Sequence, residues 1–144
     1  MSVHLALDVG SETIGLAVGD SQERRVRALF TLTRVSRKRD IAAVCEEYQR
    51  QRATALVVGL ARFKSGDEGE SAQRARRIGD LVAEALSCPV IYQDELNSTA
   101  EARSRLEQEG VSPRMLAQRL DAEAARVILE RYFDTLAEGD TEQP

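Results

Sequence analysis

The chain has 144 residues, 42% of them hydrophobic, and a formal net charge of −4. This length suits one domain whose core needs no disulfide or metal to stay folded. No apolar run approaches the roughly 20 residues that span a membrane, and no signal-peptide pattern precedes the first strand, so we expect a soluble, cytoplasmic protein. Cys45 and Cys88 are too few for a secreted disulfide framework. We expect buried thiols, with an intermolecular disulfide as the alternative.

Basic residues are concentrated in one part of the chain. Residues 21–77 carry 14 Lys and Arg against 7 Asp and Glu, whereas residues 78–144 carry 6 against 14. Arginine, whose planar fork suits phosphate oxygens, predominates in three clusters: Arg24-Arg25-Val26-Arg27, Arg34 to Arg39, and Arg74-Ala75-Arg76-Arg77. These clusters indicate either contact with a phosphate backbone or ordinary solvated faces, and composition does not separate the two.

The first third of the chain predicts three strands. Leu5-Ala6-Leu7 leads into Asp8 and the turn Val9-Gly10-Ser11, and Ile14 to Val18 then alternates large and small side chains. This pattern is typical of two antiparallel strands joined by a short turn. Arg27 to Thr33 is predicted to be the third strand.

The rest of the chain alternates between predicted helices and strands. Ser36 is expected to cap a helix, and the apolar run Ala55 to Leu60 predicts a strand covered on both faces. A polar loop, Ala61 to Gly69, precedes a helix over 70–86 and a strand over 89–92. Two further helices follow. Ser98 and Glu101 form a capping-box pattern for the first, Gly110 stops it, and the second runs from Arg114.

This order predicts an α/β fold with a mixed five-stranded sheet and helices on both faces, which is the ribonuclease H-like pattern. We expect one domain over residues 1–138 and a disordered acidic tail over 139–144. Enzymes of this pattern use carboxylates that converge on divalent metals, which activate water for phosphodiester hydrolysis. His4 is the only histidine, so a histidine-based triad or zinc site is not expected, and His4 is predicted to be a packed strand residue.

Four acids are candidates for such a site. Asp8 ends the first strand, and the alternative for it is a turn-capping role. Glu68 lies between Gly66 and Gly69, where a loop glutamate can equally be solvated. Asp94 ends the fifth strand. Asp121 is predicted to share an apolar helix face with Ala117, Ala124, Ala125, Ile128 and Tyr132, opposite a polar side that carries Glu123, Glu130 and Asp134. There it must be metal-bound, protonated or paired with an arginine.

Several of these segments, in this order, resemble the YqgF/RuvX family. They are Asp8-Val9-Gly10-Ser11, Ile14 to Val18, Val57 to Leu60, Asp67-Glu68-Gly69, Asp94-Glu95, Ser98-Thr99 and Asp121 to Ala125. The resemblance implies a bacterial ribonuclease H-like nuclease, related in fold to Holliday junction resolvases and linked to 5′-end maturation of pre-16S ribosomal RNA. It also implies that Asp8, Glu68, Asp94 and Asp121 are the catalytic acids that hold Mg²⁺ or Mn²⁺.

The chain departs from the family pattern at two places. Leu96-Asn97 follows Asp94-Glu95 where the family usually has Arg-Leu, and Glu12-Thr13 stands where basic residues are common. We therefore expect phosphate contacts from elsewhere, with Arg74, Arg76 and Arg77 as leading candidates.

The predicted function is that of a metal-dependent nuclease in ribosomal RNA processing, acting as a monomer or homodimer. A Holliday junction resolvase is the main alternative. An actin-like ATPase is less favoured because one copy of the fold leaves no second lobe, and a non-catalytic nucleic-acid-binding module is less favoured because no candidate carboxylate is missing.

Overall fold

The computed structural model describes residues 2–63 and 65–139, and the predicted disorder of residues 140–144 lies outside them. Three strands come first, and helices and strands then alternate. The elements are β1 (Val3–Val9), β2 (Thr13–Asp20), β3 (Arg25–Thr33), α1 (Arg37–Arg50), β4 (Ala55–Leu60), α2 (Glu70–Leu86), β5 (Val90–Asp94), α3 (Ser98–Gln108) and α4 (Pro113–Ala137).

The strands form one mixed sheet in the order β3-β2-β1-β4-β5. The pairs β1–β2 and β2–β3 are antiparallel, whereas β4 is parallel to both β1 and β5. The carboxyl ends of β1, β4 and β5 therefore meet at one edge of the sheet, where open α/β folds usually bind their ligands. The predicted α/β class and five-stranded mixed sheet are confirmed.

Side chains alternate between two apolar cores on opposite faces of the sheet. Leu5, Leu7 and Val9 of β1 pack with α1 and α2, whereas Ala6 packs with the apolar side of α4. Asp8 follows Ala6 by two positions, so its side chain is on the α4 face. Leu56 and Val58 of β4 likewise lie in the first core and Val57 in the second.

The helix boundaries confirm some predicted signals and correct one. Ser36 caps α1, its side chain accepting a hydrogen bond from the Arg39 backbone N–H at 3.2 Å. Gly110 has φ of +79° and follows the end of α3, as expected of a stop residue. The predicted capping box at Ser98 was wrong, because the N-cap is Asn97, which makes no side-chain cap bond, and Ser98 is buried within the helix.

The polar side predicted for α4 packs against α3. Glu123 is only 2% exposed and pairs with Arg126 at 3.4 Å and with Arg105 of α3 at 3.7 Å. Arg105 also pairs with Glu130 at 2.6 Å. These ion pairs fix α3, and with it the turn after β5, against α4.

Three smaller predictions concern His4, the cysteines and membrane insertion. His4 is fully buried against the rings of Tyr132 and Phe133, as predicted for a packed strand residue. Cys45 and Cys88 are partly buried free thiols. Among the described residues, no helix has the length and apolar character that membrane crossing requires.

Candidate active site

The first acid of the site, Asp8, stands at the carboxyl end of β1 on the face that α4 covers. Its partner across the sheet is Gly15 of β2. A Cβ atom at Gly15 would lie 1.9 Å from the Asp121 carbonyl oxygen, so the backbone of α4 rests directly on this glycine. The absence of a side chain at Gly15 thus allows α4 to bring Asp121 beside Asp8.

The second acid is Glu95, which directly follows β5. Its Oε2 lies 2.7 Å from the position of a Cβ atom at Gly59, so a missing side chain on β4 makes room for this carboxyl group. Glu95 and Asp8 share a side-chain hydrogen bond. The site is therefore built over two glycines, one on each neighbour of β1.

Asp121 completes the acidic group from the third direction. The Thr13 hydroxyl donates a hydrogen bond of 2.6 Å to its Oδ2. Because Thr13 begins β2, this bond links the helix to the turn that follows Asp8. Within residues 2–63 and 65–139, no hydrogen bond reaches the other carboxylate oxygen of Asp121.

Burial and crowding hold part of this group in its protonated form. Burial raises the pKa of Asp8 well above its ordinary value, and Glu95 and the charge of Asp121 raise it further. Burial also raises the pKa of Glu95, and Asp94 adds to the rise, while the hydrogen bond from Asp8 and the charge of Arg131 oppose it. Asp8 therefore donates this hydrogen bond to Glu95, which offsets part of the cost of placing two carboxyl groups side by side in a half-buried site.

Asp94 lies outside this group, although it is adjacent to Glu95 in sequence. It is exposed, and its Oδ1 accepts a hydrogen bond of 3.1 Å from the Leu96 backbone N–H. Tyr92, two positions earlier, packs in the core beneath α2, whereas Ile91 packs in the core beneath α4. Because side chains alternate between the two faces of β5, Asp94 points to the α2 face, and Glu95 points to the α4 face, where Asp8 lies.

Glu68 is bound by arginines. Its carboxylate accepts two hydrogen bonds from Arg76, at 2.7 and 2.6 Å, and Arg62 lies 3.6 Å away. The hydrogen bonding and charge of Arg76 lower the pKa of Glu68, with Arg62 contributing. Arg76 is itself fixed over the Tyr92 ring, 4.8 Å from the ring centre. The structure therefore brings Asp8, Glu95 and Asp121 together and places Asp94 and Glu68 elsewhere.

The turn after Asp8 is fixed from the far side by a buried ion pair. Arg34 donates to the Gly10 carbonyl at 3.0 Å and to Asp40 Oδ2 at 2.9 Å. Asp40 is 3% exposed and also accepts from the Val35 backbone N–H at 2.9 Å. This pair restrains the position of Gly10, and hence of the strand end that carries Asp8.

The donor types at this edge match a hard divalent cation. Carboxylate oxygens are what Mg²⁺ and Mn²⁺ prefer, and a cation would neutralise the charge that now raises the pKa of Asp8. Across residues 2–63 and 65–139, no three acidic, histidine or cysteine side chains enclose a cation position as they stand. The residues fit such an ion chemically, and binding it requires removal of the proton between Asp8 and Glu95 and a rearrangement of side chains.

The three arginines predicted to contact nucleic acid lie on α2. Arg77 is exposed, and Arg74 is partly buried. Arg76 is bound to Glu68. Two of the three guanidinium groups are therefore not committed to Glu68.

Comparison with known proteins identifies the family. The model of the RuvX family, described as Holliday junction resolvase, matches residues 2–135. The chain belongs to the RuvX family. Curated relatives include the "Putative pre-16S rRNA nuclease" of Burkholderia vietnamiensis, 39% identical over 134 residues that cover 93% of this chain and 90% of the relative. A relative of the same name from Anaeromyxobacter sp. is 40% identical over 131 residues, covering 91% of this chain and 96% of the relative.

Solved structures share the fold of this RuvX-family chain at low sequence identity. T. thermophilus RuvC in complex with a Holliday junction substrate matches with a TM-score of 0.66 and 18% identity, covering 99% of this chain and 100% of that chain. The Fowlpox virus resolvase bound to Holliday junction DNA matches with a TM-score of 0.61 and 12% identity, covering 93% and 98% of the two chains. The predicted family and ribonuclease H-like fold are confirmed, and the relatives' names agree with the predicted nuclease.

The predicted site residues do not include Glu95, Thr13 or Arg131. Arg131 of α4 donates a hydrogen bond to the Leu96 carbonyl, next to Glu95. The signal for Glu95 was its place directly after Asp94 at a strand end. However, Val90, Ile91 and Tyr92 are all apolar, so the sequence does not indicate which face of β5 packs against α4. Thr13 and Arg131 act through contacts distant in sequence, for which the chain carries no local signal.

Proposed function

We propose that this RuvX-family protein is a divalent-metal-dependent nuclease that hydrolyses phosphodiester bonds. The observation that carries the proposal is the convergence of Asp8, Glu95 and Asp121 from three separate elements at one edge of the sheet. Crowded carboxyl groups destabilise a fold, and a bound cation relieves the repulsion between them. Such groups are therefore typical of functional sites.

Asp8, Glu95 and Asp121 are the residues that would hold Mg²⁺ or Mn²⁺. A bound cation supplies an activated water and stabilises the leaving oxygen of the phosphodiester. Asp8 must lose its proton for this, and Asp121 keeps one oxygen on Thr13 at 2.6 Å while the other is available. Thr13 and Arg131 act as positioning residues, the first on Asp121 and the second on the turn that carries Glu95.

Glu68 and Asp94 stay predictions as catalytic ligands. Glu68 would reach the site only after leaving Arg76, and a substrate phosphate is a suitable competitor for that guanidinium because it offers the same fork geometry. Asp94 would need its backbone to rotate, because Leu96 N–H now binds its carboxylate. Its negative charge raises the pKa of Glu95, so it affects the proposed site even from outside.

The proposed substrate is structured RNA, in 5′-end maturation of pre-16S ribosomal RNA. The names of the relatives support this choice. Branched DNA is the second candidate, favoured by the description of the family model. Arg74 and Arg77 on α2 are proposed to contact the phosphate backbone near the Glu68 loop, together with Arg76 once it is released.

Side-by-side cleavage of a pre-16S leader RNA and a four-way DNA junction tests the proposal. We expect cleavage of the RNA with Mg²⁺ or Mn²⁺, none in chelator, and slower cleavage of the junction. Cleavage of the junction with the RNA left intact would establish the resolvase alternative. Cleavage that persists in chelator would refute the dependence on metal, and cleavage of neither substrate by folded protein would refute the nuclease.

A further inference from the structure

Residues 24–39 form an unusually basic stretch in an acidic protein. They include six Arg and one Lys among 16 residues, and no Asp or Glu. The stretch covers β3, which is an edge strand, and the first residues of α1. Asp40, which follows it, is buried and bound to Arg34, so its charge does not offset the exposed cations.

One end of this stretch, Arg24 to Arg27, lies at the strand ends that are opposite to those carrying the acids. Arg24, Arg25 and Arg27 are exposed. They line a groove of about 680 Å³ that also contains Arg126 and the acids Asp20 and Glu130. Arg24 donates to the Phe133 carbonyl at 2.9 Å and Arg27 to the Gln51 side chain at 3.2 Å. Both partners are neutral, so the two positive charges persist at the surface.

The contact between Arg25 and its acidic partner Glu23 is weak. The Arg25 Nε lies 3.9 Å from Glu23, and the side chains are 87% and 60% exposed. An ion pair this long and this exposed contributes little in water. The groove therefore presents to an anion two cations held by neutral groups, Arg24 and Arg27, and one weakly paired cation, Arg25.

The other end of the stretch lies beside the proposed active site. Thr33 pairs with Thr13, and the Arg34 backbone N–H donates to the Glu12 carbonyl at 2.9 Å. Arg37, Lys38 and Arg39 are exposed here and form no ion pair with any residue the structure describes. Cations thus stand at both ends of the edge strand.

A purely protective role explains part of this pattern. Charges on an edge strand prevent pairing with other chains, but charges of either sign serve that purpose. Here every charge from position 24 to position 39 is positive, although the chain as a whole is acidic. The uniform sign, dominated by arginine, instead matches a polyanion whose phosphates contact the cations at the two ends of β3, on either side of the uncharged residues 28–33.

We propose that β3 and the start of α1 form an extended binding surface for a phosphodiester backbone. The surface follows β3 from the strand ends near the acids to the opposite strand ends. This inference rests on the proposed nuclease function and adds a surface separate from α2. The nine residues of β3 span about 26 Å at ~3.3 Å per residue. That distance corresponds to about eight nucleotide steps at ~3.4 Å each, so only longer substrates contact both ends of the surface at once.

Nucleic-acid binding in chelator, measured against salt concentration, tests the surface. Arg25→Ala/Arg27→Ala is compared with wild type and with Arg103→Ala/Arg114→Ala, a control that removes two exposed arginines of α3 and α4. With an RNA duplex of about 20 base pairs, we expect the first variant to flatten the slope of log affinity against log salt by about 0.9 for each phosphate that is no longer neutralised. The control leaves the slope at the wild-type value.

Two results would overturn the inference. One is an unchanged slope on this duplex in folded Arg25→Ala/Arg27→Ala, and self-association of that variant in sedimentation would then assign the arginines to edge protection. The other is equal flattening by the control pair, which would show an effect of net charge alone. The binding surface and the proposed nuclease activity are tested separately. If the protein cleaves neither substrate but the Arg25→Ala/Arg27→Ala variant flattens the slope, the binding surface is supported and only the proposed activity is refuted.

Discussion

The proton shared by Asp8 and Glu95 ties the stability of the fold to pH. Because burial raises the pKa of both carboxyl groups, the folded protein binds more protons than the unfolded chain above their ordinary pKa values of about 4. Stability contributed by this pair is therefore full at acidic pH and falls as the pH rises through the raised values. The raised pKa values of the pair thus lower the free energy of unfolding at neutral pH relative to acidic pH.

Asp8→Asn should remove this loss of stability. An amide keeps the shape and can still donate to Glu95, so we expect a melting temperature a few degrees above wild type at pH 7 in chelator, and nearly equal values at about pH 4. Thermal melts across this range provide the measurement, and addition of Mg²⁺ should stabilise wild type more than the variant. A variant less stable than wild type by the same margin at every pH would show that Asp8 has a structural role instead.

At the scale of elements, the site depends on the contact between β2 and α4. Gly15 lies under the backbone of Asp121, and Gly19 lies under Phe133 further along the same helix, where a Cβ atom would be 3.0 Å from the ring. These two glycines, four positions apart on β2, therefore allow α4 to pack closely against the strand. Next to Gly15, the hydroxyl of Thr13 fixes the side chain of Asp121.

Gly15→Ala should displace the helix. The added Cβ would meet backbone atoms at 1.9 and 2.2 Å, which no side-chain rotation relieves. We expect a loss of more than about 3 kcal/mol in the free energy of unfolding, at the upper end for overpacked sites, together with loss of activity. Gly10→Ala is the matched control. Its Cβ would lie 3.1 Å from the nearest atom, and we expect a loss under about 1 kcal/mol. Urea denaturation of both variants measures the difference, and equal stability would contradict the packing described for α4.

At the scale of the whole molecule, local patterns predicted most of the fold. The alternating hairpin, the buried run at 55–60 and the helix over 70–86 all fall where their spacing placed them. Contacts between distant elements were not predictable in the same way. The polar side of α4 was expected from its periodicity, but nothing in the sequence near Glu123 indicates that α3 covers it.

The site shows the same division between local and distant information. The sequence pointed to Asp8 and Asp121, which the structure brings together, because a strand end and an apolar helix face make isolated acids conspicuous. The choice between Asp94 and Glu95 depends on which face of β5 meets α4, and a strand with apolar residues on both faces does not encode that. Likewise, the pairing of Glu68 with Arg76 depends on how the loop folds back on α2.

The most direct test of the proposed site compares metal-dependent cleavage by two single variants, Glu95→Gln and Asp94→Asn. Both variants remove one negative charge from neighbouring positions, and matching melting temperatures would establish that both are folded. We predict that Glu95→Gln loses more than about 100-fold in cleavage rate, beyond the range typical of groups that only support a ligand, while Asp94→Asn stays within about 10-fold of wild type. Near-normal cleavage by Glu95→Gln, with Asp94→Asn inactive, would contradict the proposed site.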